Sequence, residues 1–295
     1  MKKIIYEVLV LVLIIAMVAC GAACDNSNEN EAINMAEVTS IADLSGAKIA
    51  AQAGTFHADA MEQIENVQGS TLPEFADLLT ALKSGTIDGY VAEEPTAIEV
   101  CLSDDSLAYI HLINNDTGFT ATDADVGIAV GLATGSNLRE QINAILAGIS
   151  AETRSQLMDQ MVRLSAGQTV DSLALASEAP SETNGVLRVG MECAYAPFNW
   201  TDMSQPSLGA VPISSQGSEG MYANGYDVQI AQYIANQLGM ELEIYAITWD
   251  GLLPALQSGT VDAIIAGMSP TAEREEEIDF TDVYYSSNLV IIYEK

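Results

Sequence analysis

The sequence predicts an α/β protein of two similar lobes, each a mostly parallel sheet flanked by helices. Two observations carry this. The phrase A-L-K-S-G-T-I-D at 81–88 returns as A-L-Q-S-G-T-V-D at 255–262, followed by G-Y-V-A in one copy and A-I-I-A in the other. Each copy reads as a helix end, a Ser-Gly-Thr turn, a short strand and a polar loop at the strand's carboxyl edge. Around both copies, strand-length apolar runs alternate with stretches of helical period, the pattern of crossover-connected parallel strands. Ligands of open α/β sheets sit at the carboxyl edge, so two such units predict two binding edges facing one another.

Taken in order, residues 1–19 read as an export signal. Lys2 and Lys3 precede an apolar run over 8–18, shorter than the ~20 residues that span a bilayer. Cys20 follows Val18 and Ala19 in a pattern that resembles a lipobox, whose cysteine is lipidated; ordinary cleavage, leaving a free thiol, is the alternative. Residues 20–38 are a polar, acidic tether. The first block then shows a strand at 48–51 and a turn at Gly54, where backbone N–H groups and the Thr55 hydroxyl face a helix start. A helix at 73–83, a strand at 87–92, a helix at 94–102 and strands at 108–112 and 125–132 follow. Two helices over 135–164 place Leu138, Ile142, Ile145, Leu146 and Ile149 on apolar positions. Residues 166–186 lose all periodicity and read as a linker. The second block has a strand at 187–191, a polar loop at 201–224, a helix at 226–238 ended by Gly239, and a strand at 241–246. A helix at 251–257, a strand at 261–266, a short helix from Thr271 and a strand at 288–293 complete it.

Ten Lys and Arg stand against 41 Asp and Glu, a net charge of −31. Nucleic acid is excluded as a partner, because neutralising phosphates needs clustered basic residues. The acidity serves solubility or attracts cationic solutes. Beyond Cys20, three cysteines remain (Cys24, Cys101 and Cys193), with no CxxC pair, and His57 and His111 stand apart. No metal or other cofactor is expected.

The segment from Gly267 to Arg274 gathers free N–H groups, two hydroxyls and a guanidinium at one helix start. The planar fork of Arg matches a carboxylate bidentately, so this reads as a carboxylate clamp. The alternative is a surface Arg paired with Glu276, Glu277 or Asp279.

Further motifs join it: Y-A-P-F at 195–198, G-Y-D-V at 225–228, W-D-G-L-L-P-A-L-Q-S-G-T-V-D at 249–262, A-G-M-S-P-T-A-E-R at 266–274 and I-D-F-T-D-V-Y-Y at 278–285. Together with D-L-S-G-A-K-I-A-A-Q-A-G-T and A-L-K-S-G-T-I-D-G-Y-V-A-E-E-P in the first block, they resemble the family 3 solute-binding proteins, amino-acid-binding lipoproteins of ABC importers. The resemblance covers about 250 residues and implies a two-lobed, periplasmic-binding-protein-like fold that closes on its ligand. It implies that Arg274, Ser269 and the Gly267 backbone hold the ligand's carboxylate, with Thr55, Gly54 and Gln52 closing from the other lobe. Glu93 would take the ammonium, where the family more often has Asp. Tyr195 and Trp249 would sandwich the side chain, or pack in the core instead. Glu192 stands where members with cationic ligands present an acid, which leans toward a polar, cationic amino acid.

One departure is large. The block matching the family's first, carboxylate-side lobe is 187–295, and it comes last. The ammonium-side lobe, 39–126, comes first, with 127–165 as a return strand and helices packing on the carboxylate side. Joining Lys295 to the region of Ile41 and cutting at 166–186 restores the usual order. The chain therefore reads as circularly permuted, with one of two hinge crossings severed, or as a fragment of a tandem fusion. The implied protein is a lipid-anchored, extracytoplasmic monomer serving an ABC permease and is not an enzyme. The alternatives are a dehydratase using Glu192 or Glu93 as acid or base, or a ligand-sensing module for a separate partner.

Overall fold

The computed structural model describes residues 33–176, 178–203 and 206–295. The signal segment, Cys20, Cys24 and most of the tether lie outside the described residues. From the amino end run β1 (Ile49–Gln52), α1 (Phe56–Met61), β2 (Ser70–Leu72), α2 (Phe75–Lys83), β3 (Gly89–Glu93), α3 (Glu94–Ser103) and β4 (Leu107–Ile110). Next come α4 (Asp123–Val126), β5 (Gly127–Ile128), β6 (Gly131–Leu132), α5 (Leu138–Ala147) and α6 (Ala151–Ser165). The remainder comprises β7 (Val186–Met191), β8 (Ala194–Tyr195), β9 (Asn199–Asp202), β10 (Val211–Pro212), β11 (Tyr222–Asn224), α7 (Tyr226–Leu238), β12 (Glu241–Ala246), α8 (Leu252–Gln257), β13 (Ala263–Ile264), α9 (Ala272–Glu275), β14 (Asp279–Phe280), β15 (Tyr285–Ser286) and β16 (Leu289–Glu294). Among the described residues no helix is long and apolar enough to cross a membrane.

Two five-stranded sheets form the two lobes. One has the order β2-β1-β3-β16-β4 and the other β12-β7-β13-β6-β14. In each, a single strand opposes the rest: β16 runs antiparallel to β3 and β4, and β6 antiparallel to β13 and β14. Those two strands are the ones that arrive from the other lobe, so their reversed direction follows from crossing the hinge. The crossings are 127–130 and 285–288, and β5 pairs with β15 where they pass. Both are present, so the expected severed crossing is corrected: no break separates the lobes at the hinge.

The repeated phrase performs the same local task twice. Gly85 and Gly259 turn the chain at φ +69° and +73°, conformations that glycine adopts without steric cost. The aspartate that closes each copy then reaches the neighbouring parallel strand. Asp88 Oδ2 accepts the Lys48 amide at 2.8 Å, and Asp262 Oδ2 accepts the Arg188 amide at 3.0 Å. In the second copy the Arg188 guanidinium also forks onto Asp262, at 2.6 and 3.0 Å.

Three expectations need correction. Residues 125–132 are a one-turn helix and two two-residue strands, because this stretch must serve the hinge pair and the second sheet in succession. The polar loop at 201–224 contributes to a small antiparallel sheet of order β10-β11-β9-β8. The described linker residues hold no helix or strand until Val186 opens β7, yet the segment is pinned: Gln160 donates to the Ser172 carbonyl and accepts the Ala174 amide, and Leu175 is buried.

Arg154 on α6 fixes the hinge from behind. Its guanidinium donates to the carbonyls of Leu146, Ile149, Val283 and Tyr284 at 2.6 to 3.2 Å. Beneath the second sheet, fully buried Asp227 accepts Asn199 Nδ2 at 2.9 Å and the Tyr284 hydroxyl at 2.7 Å, joining α7, β9 and the hinge approach. Its carboxyl is pushed up to about 7 by burial, with those donors opposing the rise.

Gly225, which precedes α7 at φ +133°, admits no side chain, since a Cβ would stand 2.2 Å from the Phe198 carbonyl oxygen. Gly225→Ala is expected to lower the unfolding free energy by about 2 kcal/mol or more in urea titration. Gly85→Ala, with open space around it, is expected to lose only about 1 kcal/mol.

Candidate functional site

The carboxyl edges of β1 and β3 face the loops after β7 and β13, and the lobes meet there. Four hydrogen bonds cross the cleft. Gln52 Nε2 donates to Glu192 Oε1 at 3.1 Å, Thr96 Oγ1 to the Ala196 carbonyl at 3.0 Å, Trp249 Nε1 to the Gly54 carbonyl at 3.1 Å, and Arg274 Nη2 to the same carbonyl at 2.8 Å. They enclose a cavity of about 20 Å³, lined by Gln52, Thr55, His57, Phe75, Glu93, Tyr195, Trp249, Gly267, Ser269 and Arg274 among others. That is room for about one water molecule. An acidic vestibule of about 380 Å³ opens outside it, bounded by Asp59, Asp250, Glu273 and Glu277.

Eight of the ten expected ligand-contacting residues line this cavity, and Gly54 and Glu192 adjoin it through the cross-cleft bonds, though several are turned to other partners. Arg274 is half-buried, with Nη1 on the Ser269 carbonyl at 2.9 Å, Nη2 on Gly54 and the guanidinium 5.1 Å from the Trp249 ring centre. Among the described residues it has no carboxylate partner within salt-bridge distance. Burial lowers its pKa, while Glu273 and Asp59 pull the other way. Ser269 contributes a carbonyl here. The Thr55 hydroxyl donates to the Gln52 carbonyl at 2.8 Å and so braces its own turn. Gly267 stands at φ +64°, where a Cβ would touch the Tyr195 ring at 3.3 Å, and its amide faces Asp227. Gly54 and Gln52 make the cross-cleft bonds.

Glu93, at the end of β3, begins α3 without capping it and pairs instead with His57: Nε2 to Oε1 is 3.0 Å, with both side chains 8% exposed. Tyr195 stacks on Phe75 of the opposite lobe, ring centres 4.0 Å apart and planes 12° apart, and on Phe198 at 5.1 Å. Trp249 also lines the cavity, its ring centre 5.1 Å from the Arg274 guanidinium. Glu192 lies beside the cavity, bonded to Gln52, and burial pushes its carboxyl up to about 7.

Sequence reasoning left His57 and Phe56 unassigned and passed over Phe75 and Asp125, all of which line the cavity. Phe75 opens a helix whose other apolar positions are core, and nothing in its spacing separates it from them.

Residues 207–295 match the family described as bacterial extracellular solute-binding proteins, family 3. The arginine-binding extracellular protein ArtP of Bacillus subtilis (strain 168) is 40% identical over 77 residues, 26% of this chain and 30% of the relative. The L-cystine-binding protein TcyJ of Escherichia coli (strain K12) is 32% identical over 146 residues, 48% of each. A solved structure of an ancestral arginine-binding protein bound to arginine is 36% identical over 35% of this chain and 39% of that one, with a TM-score of 0.28. The chain spans half or less of the length of these relatives.

Glu192 yields a signed pH dependence. Its folded pKa, about 7, lies above the ordinary 4.5, so the folded protein favours the neutral acid. Stability from this group is therefore fully present below about 4.5 and is lost as pH rises toward about 7. Glu192→Gln is expected to gain stability relative to the parent across that window, reaching about 2 kcal/mol at pH ~8. Thermal unfolding from pH ~4 to ~8 checks it, and a constant difference across the range would refute it.

Proposed function

We propose that this chain, which over residues 207–295 belongs to the family 3 extracellular solute-binding proteins, traps a polar amino acid between its lobes and delivers it to an ABC permease. In this reading it works outside the cytoplasm, tethered through lipid on Cys20. The observation that carries the reading is Arg274: a guanidinium drawn into the cleft, held by backbone carbonyls and a ring, and left without a carboxylate. A guanidinium drawn partly out of water with no carboxylate against it favours an anionic ligand group in that place. The cross-cleft bonds support closure as the trapping step, since a ligand that bonds both lobes favours the closed state by its difference in affinity.

A cationic preference is supported by the vestibule carboxylates Asp59, Asp250, Glu273 and Glu277. A relative named as arginine-binding fits that preference, and those named as histidine- and cystine-binding fit the broader polar class. The lobes' order along the chain is read as a permutation of the family's, supported by β16 lying between β3 and β4 as the strand that would lead into the first block. A second reading is a dehydratase in the same cleft, favoured only by a carboxyl near neutrality at Glu192. Product formation from a bound carboxylate would decide for it.

A thermal-shift screen of the twenty amino acids tests the main reading. A ligand at ~100 times its Kd adds about 2.7 kcal/mol, several degrees of melting temperature. L-Arginine is expected to raise the midpoint, agmatine, which lacks the carboxylate, is not, and Arg274→Ala is expected to abolish the shift. An unchanged shift in Arg274→Ala would remove the carboxylate seat.

A further inference from the structure

We infer that Asp227 is a positioning residue for the cleft, holding from beneath the turn at Cys193 that carries Glu192 and Tyr195 and tying that turn to Tyr284 at the approach to the hinge; its effect on binding rests on the amino-acid-binding reading above. Asp227 lies in the first turn of α7, fully buried and away from the cavity lining. Three donors converge on it. Its Oδ1 accepts the Tyr284 hydroxyl at 2.7 Å, its Oδ2 accepts Asn199 Nδ2 at 2.9 Å, and the Gly267 amide faces it as well. Among the described residues no cation lies within salt-bridge distance of it, so these donors alone stabilise the buried charge.

An ionised carboxylate only accepts, and that fixes the direction of a chain of bonds. Asn199, itself fully buried, gives an N–H to Asp227 and so turns its Oδ1 to the Cys193 amide at 2.8 Å. The Cys193 carbonyl in turn accepts Thr201 Oγ1 at 2.8 Å. These two bonds hold Cys193 at φ +58°, a left-handed conformation that residues with a side chain disfavour. The reversal there decides what reaches the cleft, since Glu192 on one side of it bonds Gln52 of the opposite lobe and Tyr195 on the other stacks on Phe75. Among the described residues the Tyr195 hydroxyl is one of three buried side-chain polar atoms without a hydrogen-bond partner, with His57 Nδ1 and Glu93 Oε2, and all three residues line the cavity. At the other end of the chain, Tyr284 gives its hydroxyl to Asp227 while its carbonyl accepts Arg154 Nη1 at 2.8 Å. One buried carboxylate thus joins the hinge to the groups that the cleft presents, without lining the cleft itself.

Isothermal titration calorimetry with L-arginine and L-histidine tests this at pH ~8, where the Asp227 carboxyl, pushed up to about 7 by burial, is ionised. The parent is compared with Asp227→Asn and with the exchange Asn199→Asp plus Asp227→Asn. Asp227→Asn brings N–H donors to a place where donors already converge, and is expected to weaken binding about tenfold or more. The exchange restores the order of donors and acceptors from Tyr284 to Cys193, and is expected to return affinity to within about threefold of the parent. Unchanged affinity in Asp227→Asn would overturn the inference, as would an exchange that folds yet binds no better than Asp227→Asn. Circular dichroism melting shows whether each variant is folded at the titration temperature. Tyr284→Phe removes a single hydroxyl and carries the test should Asp227→Asn not fold; it is expected to weaken binding about threefold or more, and parental affinity there would equally overturn the inference. If the parent binds neither probe, the amino-acid reading fails and this inference falls with it.

Discussion

The carbonyl oxygen of Gly54 receives two donors from the opposite lobe, Trp249 Nε1 and Arg274 Nη2, and the arrangement of the cleft follows from that meeting. The turn at φ +69° aims the carbonyl outward from the edge of one sheet. A Cβ at this position would lie 3.5 Å from the indole nitrogen it must receive, on a backbone conformation that L side chains rarely adopt. Once the carbonyl is in place, Arg274 lies over Trp249, the vestibule and the inner cavity share lining residues, and Gln52 is bonded to Glu192. Closure thus costs the protein few unpaired groups at the rim, and the unpaired ones concentrate inside.

Inside, other protein groups satisfy one another. The Ser269 and Gly54 carbonyls offer oxygen to the guanidinium, as a carboxylate does. His57 lies against Glu93, and the Phe75 ring covers the face of Tyr195. Each of these contacts is supplied from within the chain. Any group that enters must exchange partners with these contacts in a nearly dry space, so its net free energy is a difference between two sets of contacts.

Much of this was legible in residues. The helix over Tyr226–Leu238 has its apolar period and its Gly239 terminator at φ +69°, and both copies of the repeat lie on the turns and strands that their letters imply. The cluster around Arg274 was legible because a guanidinium beside Ser, Thr and Gly is chemically unusual in a chain so poor in basic residues. What sequence could not reveal was orientation. Thr55 and Ser269 carry hydroxyls, yet one hydroxyl braces its own turn and Ser269 meets Arg274 through its carbonyl. The strands at 201–224 escaped because pieces of two to four residues are too short to express a period of two. His57 escaped because a lone histidine has no sequence context that distinguishes a packed ring from a working one.

Arg154 has a consequence for how such a molecule moves. Four carbonyls from two helix ends and the approach to β15 converge on one planar group. Residues up to Tyr284 are thereby riveted to the helical side of one lobe, while from Leu289 onward the chain is locked into the ladder of the other by its pairing with Glu93. The torsional freedom available to this connection is confined to the four residues between. Any rotation of one sheet against the other through this connection must therefore be taken up within those few residues, as on a very short pin.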